Sequence, residues 1–186
     1  MRLSFFVVVA ALLLAGCANS ERRAAAREAN PAPCPNVFVL EDAARFIDFG
    51  DAEPSLETVA FSGEIKNVTT RCRYYADVPI EASVDMVLSI GRGPAAEEAT
   101  YDAKYFVAVT RTDRDLIAKE EFSTPIRFRK GQRVATISPE ITDIVIPRLD
   151  EEVSGMNFEI VVGFVLERRQ LLFNRSGRSL KFPETL

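Results

Sequence analysis

Ile80-Glu81-Ala82-Ser83-Val84-Asp85-Met86-Val87-Leu88-Ser89-Ile90 carries an apolar side chain at every even position, set against mostly polar odd-numbered partners. A period of two sends alternate side chains to opposite faces of an extended chain, whereas a helix would repeat every 3.6 residues. The stretch therefore predicts a β-strand of eleven residues with one face buried. Gly91-Arg92-Gly93-Pro94 stops it.

The same period recurs on both sides. Upstream, Val37-Phe38-Val39-Leu40 and Ala44-Arg45-Phe46-Ile47-Asp48-Phe49 read as short strands before a turn at Gly50-Asp51-Ala52-Glu53-Pro54. Val59, Phe61, Gly63 and Ile65 then share one face of a longer strand, and Asn67 to Thr70 is expected to turn the chain into Arg71-Cys72-Arg73-Tyr74-Tyr75. Downstream, the small and acidic Ala95 to Thr100 reads as a surface loop. Tyr105 to Val109 and Leu116 to Phe122 form hairpin arms around Thr112-Asp113-Arg114-Asp115, whose side chains suit a turn. Ile126 and Phe128 lead to a Lys130-Gly131 turn and an extended Val134 to Ile137. Pro147 should end the Ile141 to Ile146 strand or put it at a sheet edge. Phe158 to Leu166 is apolar on both faces and belongs in the middle of a sheet. Eight or more short strands about ten residues apart, with no long helical pattern, predict an all-β chain, an antiparallel β-sandwich over residues 34–166.

Composition narrows the chemistry. There is no histidine and no tryptophan among the 186 residues, which removes the commonest general base and the commonest metal ligand. Serine nucleophiles thus lack a base, and no Ser-x-x-Lys arrangement replaces it. The paired acids Glu97-Glu98, Glu120-Glu121 and Asp150-Glu151-Glu152 are read as solvated, since strand neighbours such as Glu120 and Glu121 point to opposite faces. The acids at 150–152 lack the ligand spacing of a calcium loop, and Gly91-Arg92-Gly93-Pro94 precedes no helix that would complete a phosphate cradle. No catalytic, cofactor-binding or metal-binding residue is assigned, and an enzyme is not expected.

The first residues set the address. Arg2 and the apolar run from Leu3 to Leu14, broken only by Ser4, lead into Leu14-Ala15-Gly16-Cys17. This resembles the lipobox of bacterial lipoproteins: a charged start, an apolar stretch too short to span a bilayer, and small residues before a cysteine. The resemblance implies cleavage between Gly16 and Cys17, a signal peptide at 1–16, and acylation of Cys17. More than one acyl chain makes attachment to membrane lipid stable. Ala18 follows the acylated cysteine where, in the enterobacterial sorting pattern, an aspartate would retain the protein at the inner membrane. An outer-membrane anchor with the domain in the periplasm is therefore expected.

Removing residues 1–16 takes away Arg2 and no acid, leaving 22 basic against 27 acidic residues, a balance that disfavours nucleic acid as a partner. Residues 17–33 have almost no large apolar side chain and end in Pro31-Ala32-Pro33. They read as a flexible tether reaching roughly 20 Å as a coil. With Cys17 acylated, Cys34 and Cys72 are the remaining thiols of an exported chain, and a disulfide between them is expected.

The last twenty residues, 167–186, are basic: Arg168, Arg169, Arg175, Arg178 and Lys181 surround Leu171, Leu172 and Phe173. They are read either as a short helical turn packed on the sandwich edge with a frayed end, or as a docking patch for lipopolysaccharide, peptidoglycan or a partner protein. Phe61-Ser62-Gly63-Glu64-Ile65-Lys66-Asn67 is similar to the Gly-x-Ile/Val-x-Asn strand signature of small immunoglobulin-like sandwiches of the LEA14 and FxLYD type. The order of Cys34-Pro35, the Gly63 strand, Cys72-Arg73-Tyr74, Tyr105 to Val109 and Val162-Gly163-Phe164 resembles uncharacterised envelope lipoproteins of alphaproteobacteria. The resemblance implies an immunoglobulin-like fold and an envelope location, and supplies no reaction. Two functions remain in view: a non-enzymatic structural or interaction module for an envelope protein partner, or a periplasmic carrier or receptor for a small or lipidic ligand held between the sheets.

Overall fold

In the computed structural model, residues 33–75, 78–112 and 115–177 are described. The strands are β1 (Asn36–Val39), β2 (Arg45–Asp48), β3 (Phe61–Arg73), β4 (Ile80–Arg92), β5 (Thr100–Arg111), β6 (Leu116–Arg127), β7 (Val134–Ile137), β8 (Glu140–Ile146) and β9 (Phe158–Phe164), followed by the helix α1 (Arg168–Arg175). They form an all-β sandwich. One sheet has the order β1-β9-β5-β6, and the other is β2-β3-β4 with β7 and β8 laid end to end along the far edge of β4. The Met86 N–H donates to Pro139 O at 3.0 Å, bridging the break between β7 and β8. Ladders are antiparallel except for β1, which runs parallel to β9.

β4 is the spine of the core. Its even-numbered residues from Ile80 to Ile90 are 0–5% exposed and meet Val107, Val109, Ile160, Val162 and Phe164 from the opposite sheet. β9 lies between β1 and β5, as a strand apolar on both faces should.

β3 departs from expectation. Asn67 to Thr70 does not turn the chain; it continues a thirteen-residue strand. The register pairs Ile65 with Leu88 and Asn67 with Val87, so Lys66 is an extra residue, a β-bulge. Before the bulge the odd residues Phe61, Gly63 and Ile65 face inward; after it the even residues Val68, Thr70 and Cys72 do, opposite Met86, Val84 and Ala82. The broken phase imitates a turn. β5 likewise begins at Thr100, earlier than the Tyr105 start expected.

An aromatic cluster closes one end of the core. The Phe46 ring stacks on Tyr101 at 5.3 Å and meets Phe164 edge-on at 4.9 Å, while Phe61 lies 4.6 Å from Tyr101. Phe46 is paired across the ladder with Gly63, where a Cβ would sit 2.2 Å from its Cε1 atom. Only glycine leaves room for that ring. Burial, helped by the nearby carboxylates of Asp48, Glu167 and Asp102, pushes the Tyr101 phenol well above its ordinary pKa.

α1 packs on β2 and on the 3-10 turn Glu41–Ala43. Phe173 meets Phe49 edge-on at 5.2 Å, and the Asn174 amide donates to Asp42 O and Arg45 O, both at 2.8 Å. The Glu167 N–H donates to Gln170 Oε1 at 2.9 Å, the reciprocal half of a capping box. No described helix is long and apolar enough to cross a membrane.

Candidate functional site

A two-sheet sandwich has two seams where sheet edges face each other, and here they are built differently. One is closed. Cys34, just before β1, is joined to Cys72 of β3 across a Cα–Cα distance of 5.5 Å, inside the range that a disulfide spans. Cys72 faces inward because of the phase change at Lys66. Beyond it, the Tyr74 hydroxyl donates to Pro33 O at 2.8 Å and accepts from the Gly155 N–H at 2.7 Å. The Arg148 guanidinium lies 4.6 Å over the Tyr74 ring while donating to Val78 O and Val153 O. The end of β3, the loop before β9 and the start of the described chain are thereby clasped together. Pro33, the first described residue, lies at this corner.

The opposite seam is open. β6 is the edge of its sheet and β8 an edge of the other, and among the described residues neither outer edge donates or accepts a backbone bond to another element. Between them runs a cleft of about 730 Å³, floored by Val107 and Val109 of β5 and walled by Ala118, Glu120 and Phe122 of β6 and by Ile141 and Ile144 of β8. Both walls follow from register. Ala118 lies opposite Val109, Glu120 opposite Val107 and Phe122 opposite Tyr105, so Glu120 points inward with two apolar neighbours. In β8, Ile141 pairs with Val84 and Ile144 with Ala82, which leaves Thr142 and Asp143 both opposite Ser83 as a second bulge. Asp143 takes φ 60°, a left-handed conformation that kinks this edge. The bulge lets two isoleucines three residues apart face the same way.

The rim of the cleft is acidic. Glu140 is held by Arg71 at 2.7 Å, and Asp143 accepts from the Thr142 hydroxyl at 2.8 Å. Lys119, the cation beside the cleft, pairs with Glu121 at 2.7 Å and lies 4.8 Å from the Phe106 ring centre. Glu120 has no ion-pair partner among the described residues. The period-two phase it shares with Ala118 and Phe122 was the signal for this position, since a charged residue in the inward phase of an edge strand is out of place in a filled core.

The residues singled out in sequence fall elsewhere. Arg169 donates to Gly50 O and to Ala52 O, and Arg175 pairs with Asp42 at 2.7 Å, so both guanidinium groups hold α1 to the sandwich. Arg168 is exposed on the same helix. Arg178, Lys181, Cys17, the expected signal peptide and nearly all of the expected tether lie outside the described residues. Asp150 is folded back, its Oδ1 accepting from the Glu152 and Val153 N–H groups at 3.0 and 3.1 Å. Among the described residues, no cluster of acidic or cysteine side chains could hold a metal ion.

No protein family and no curated protein matches the chain. Among solved structures it is similar to the variable (V) domain of the AgI/II polypeptide BspA of Streptococcus agalactiae, at 11% identity over 59% of this chain and 69% of that one, with a TM-score of 0.16. That degree of likeness carries neither fold nor function.

Proposed function

We propose that this chain is a non-enzymatic envelope lipoprotein, anchored to membrane lipid through acylated Cys17, whose sandwich is an interaction module for another envelope protein. The outer membrane, with the domain in the periplasm, is the address that Leu14-Ala15-Gly16-Cys17 and Ala18 favour. The observation that carries the interaction reading is the open seam: two strand edges, each unpaired on its outer side, flank a cleft with an apolar floor, the arrangement into which an extended peptide adds as a strand. The stapled corner at Cys34 and Cys72 carries the tether, so the cleft lies on the seam away from it. An exposed edge of this kind invites aggregation unless a partner or a charge covers it.

Photocrosslinking residues placed at Ala118, Phe122 and Ile144 in the native strain test this. The expected result is a discrete protein adduct from these positions and none from Val134, exposed on β7 away from the cleft. Adducts at every position alike, or at none, would count against a partner at the seam. Mass analysis of the mature N-terminus and membrane fractionation test the anchor in the same cells, and an unmodified Cys17 or an uncut leader ends the lipoprotein reading.

One observation favours a second reading. The cleft volume of about 730 Å³ falls in the range of small-ligand sites, and its floor is apolar. A carrier for a small or lipidic ligand would yield co-purifying lipid from native membranes and lipid adducts at Phe122. The acidic rim favours the protein partner over an anionic lipid.

A further inference from the structure

The charge and backbone of the open seam define its occupant more narrowly than an interaction surface in general, on the premise that the sandwich is a module for a protein partner. We infer that the cleft takes an extended segment of that partner whose seam-facing side chains are apolar except for one lysine or arginine set against Glu120, added as a fifth strand beside β6.

Three observations select this partner. The first is which edge can accept a strand. β8 is kinked at Asp143, with its φ of 60°, and lies between Pro139 and Pro147, so its outer groups do not form a straight ladder. β6 carries a bulge at Ile117, and from Ala118 to Thr124 it has neither bulge nor proline, Pro125 being the first interruption. A strand of about six residues matches that run.

The second is what faces the incoming side chains. A strand added beside β6 alternates its side chains like its neighbour, so every second one points across the seam toward Ile141 and Ile144. Those two are only partly buried, and an apolar side chain between them and Phe122 removes water from both walls.

The third is charge. Lys119 is already engaged with Glu121 and with the Phe106 ring, leaving the rim acidic. Glu120 stands in the inward phase with no cation beside it among the described residues. A basic side chain from the occupant meets that carboxylate, and an acidic one is repelled by Glu120 and Asp143, Glu140 being paired with Arg71.

The test is selection from an octapeptide library with threonine fixed at even positions and all residues allowed at the odd, seam-facing ones, displayed against the purified full-length lipidated protein in detergent. The expected result is enrichment of lysine and arginine over aspartate and glutamate at one odd position by about fivefold, the size of a single partly exposed ion pair, with apolar residues enriched at the flanking odd positions and proline depleted. Glu120→Lys should reverse the charge preference at that position alone, while Glu97→Lys, on a distant loop, should leave it unchanged. Unfolding curves of each variant establish that it is folded. Retention of the cationic preference in Glu120→Lys, or no preference in the unaltered protein, overturns the inference. Seam adducts without this preference would leave the interaction reading intact and remove only its strand chemistry; absence of seam adducts removes both.

Discussion

Deleting one residue from β3 should do opposite things depending on which residue is removed. Lys66 is the surplus residue of the bulge, so deleting it leaves Ile65 opposite Leu88 and Asn67 opposite Val87 in an unbroken ladder. Val68, Thr70 and Cys72 keep their inward phase and the disulfide should still form. The loss is one ion pair, Lys66 with Glu64, whose side chains are 51% and 57% exposed, worth about 0–1 kcal/mol. Deleting Thr69 is different. If the bulge stays, Cys72 turns outward and Arg71 inward, and a crosslink closing 38 residues of separation is lost, about 4 kcal/mol in the loop-entropy account. If the bulge is absorbed instead, Cys72 is rescued but Asn67 replaces Val68 against Met86, burying an amide at a cost of about 1–3 kcal/mol besides the valine's lost burial. Either route costs at least about 2 kcal/mol. The assay is thermal unfolding with a thiol count by maleimide mass shift in denaturant without reductant. A melting point lowered by a few degrees at most is expected on deleting Lys66, and by roughly 5–15 °C on deleting Thr69. Free thiols after deleting Lys66, or wild-type stability after deleting Thr69, would refute the argument from phase.

The remaining expectations concern the core and the helix. Gly63→Ala places a methyl group 2.2 Å from the Phe46 Cε1 atom, and because Tyr101 and Phe164 pin that ring, urea denaturation should show a loss of about 1–3 kcal/mol. Tyr101 is held protonated in the fold while the unfolded chain ionises near pH 10, so above that pH the unfolded state binds fewer protons and stability falls as pH rises. Tyr101→Phe should remove that share of the alkaline loss, up to about 1.4 kcal/mol per pH unit; identical slopes for both proteins from pH 9 to 11 would sink the assignment. Asn174→Ala removes two donors to Asp42 O and Arg45 O, and hydrogen exchange over 168–175 should quicken by roughly tenfold while β4 amides are unaffected.

Local period was enough to find the core strands, and it failed where the period breaks. Ile80 to Ile90 has no bulge of its own, and its sequence reads directly as a strand with one buried face. β3 carries the same kind of alternation on both sides of Lys66 but in opposite phase, which is why its middle imitates a turn. β8 hides its inward set in the same way, since Ile141 and Ile144 are three apart until Thr142 and Asp143 are counted together against Ser83. The parallel pairing of β1 with β9 joins segments more than a hundred residues apart, and no local pattern encodes a partner at that distance. The basic run at the C-terminus was visible as charge. What that charge touches, Gly50 O, Ala52 O and Asp42, required the fold.

The cleft is written in side-chain volume. Along the inward phase of β6, Ile126 is 3% exposed and Phe122 stacks at 5.7 Å on Tyr105, so that half of the strand fills the space between the sheets. The other half offers Ala118 and Glu120 opposite Val109 and Val107, one too small to reach Ile141 and Ile144 and the other too polar to bury. A leucine or valine at either position would extend the core and stabilise the chain by about 1.5–3 kcal/mol if fully buried. A sandwich selected for stability alone would close both seams. This one closes the seam at Cys34 with a disulfide and the Tyr74 clasp, and it leaves the other seam open with a carboxylate standing in it. The closed seam ties the two sheets together on one side, through Cys34 and Cys72, while the cleft on the other side is already formed. A preformed opening lowers the ordering cost of binding, and affinity then depends on how well the entering side chains match two isoleucines and one unpaired acid.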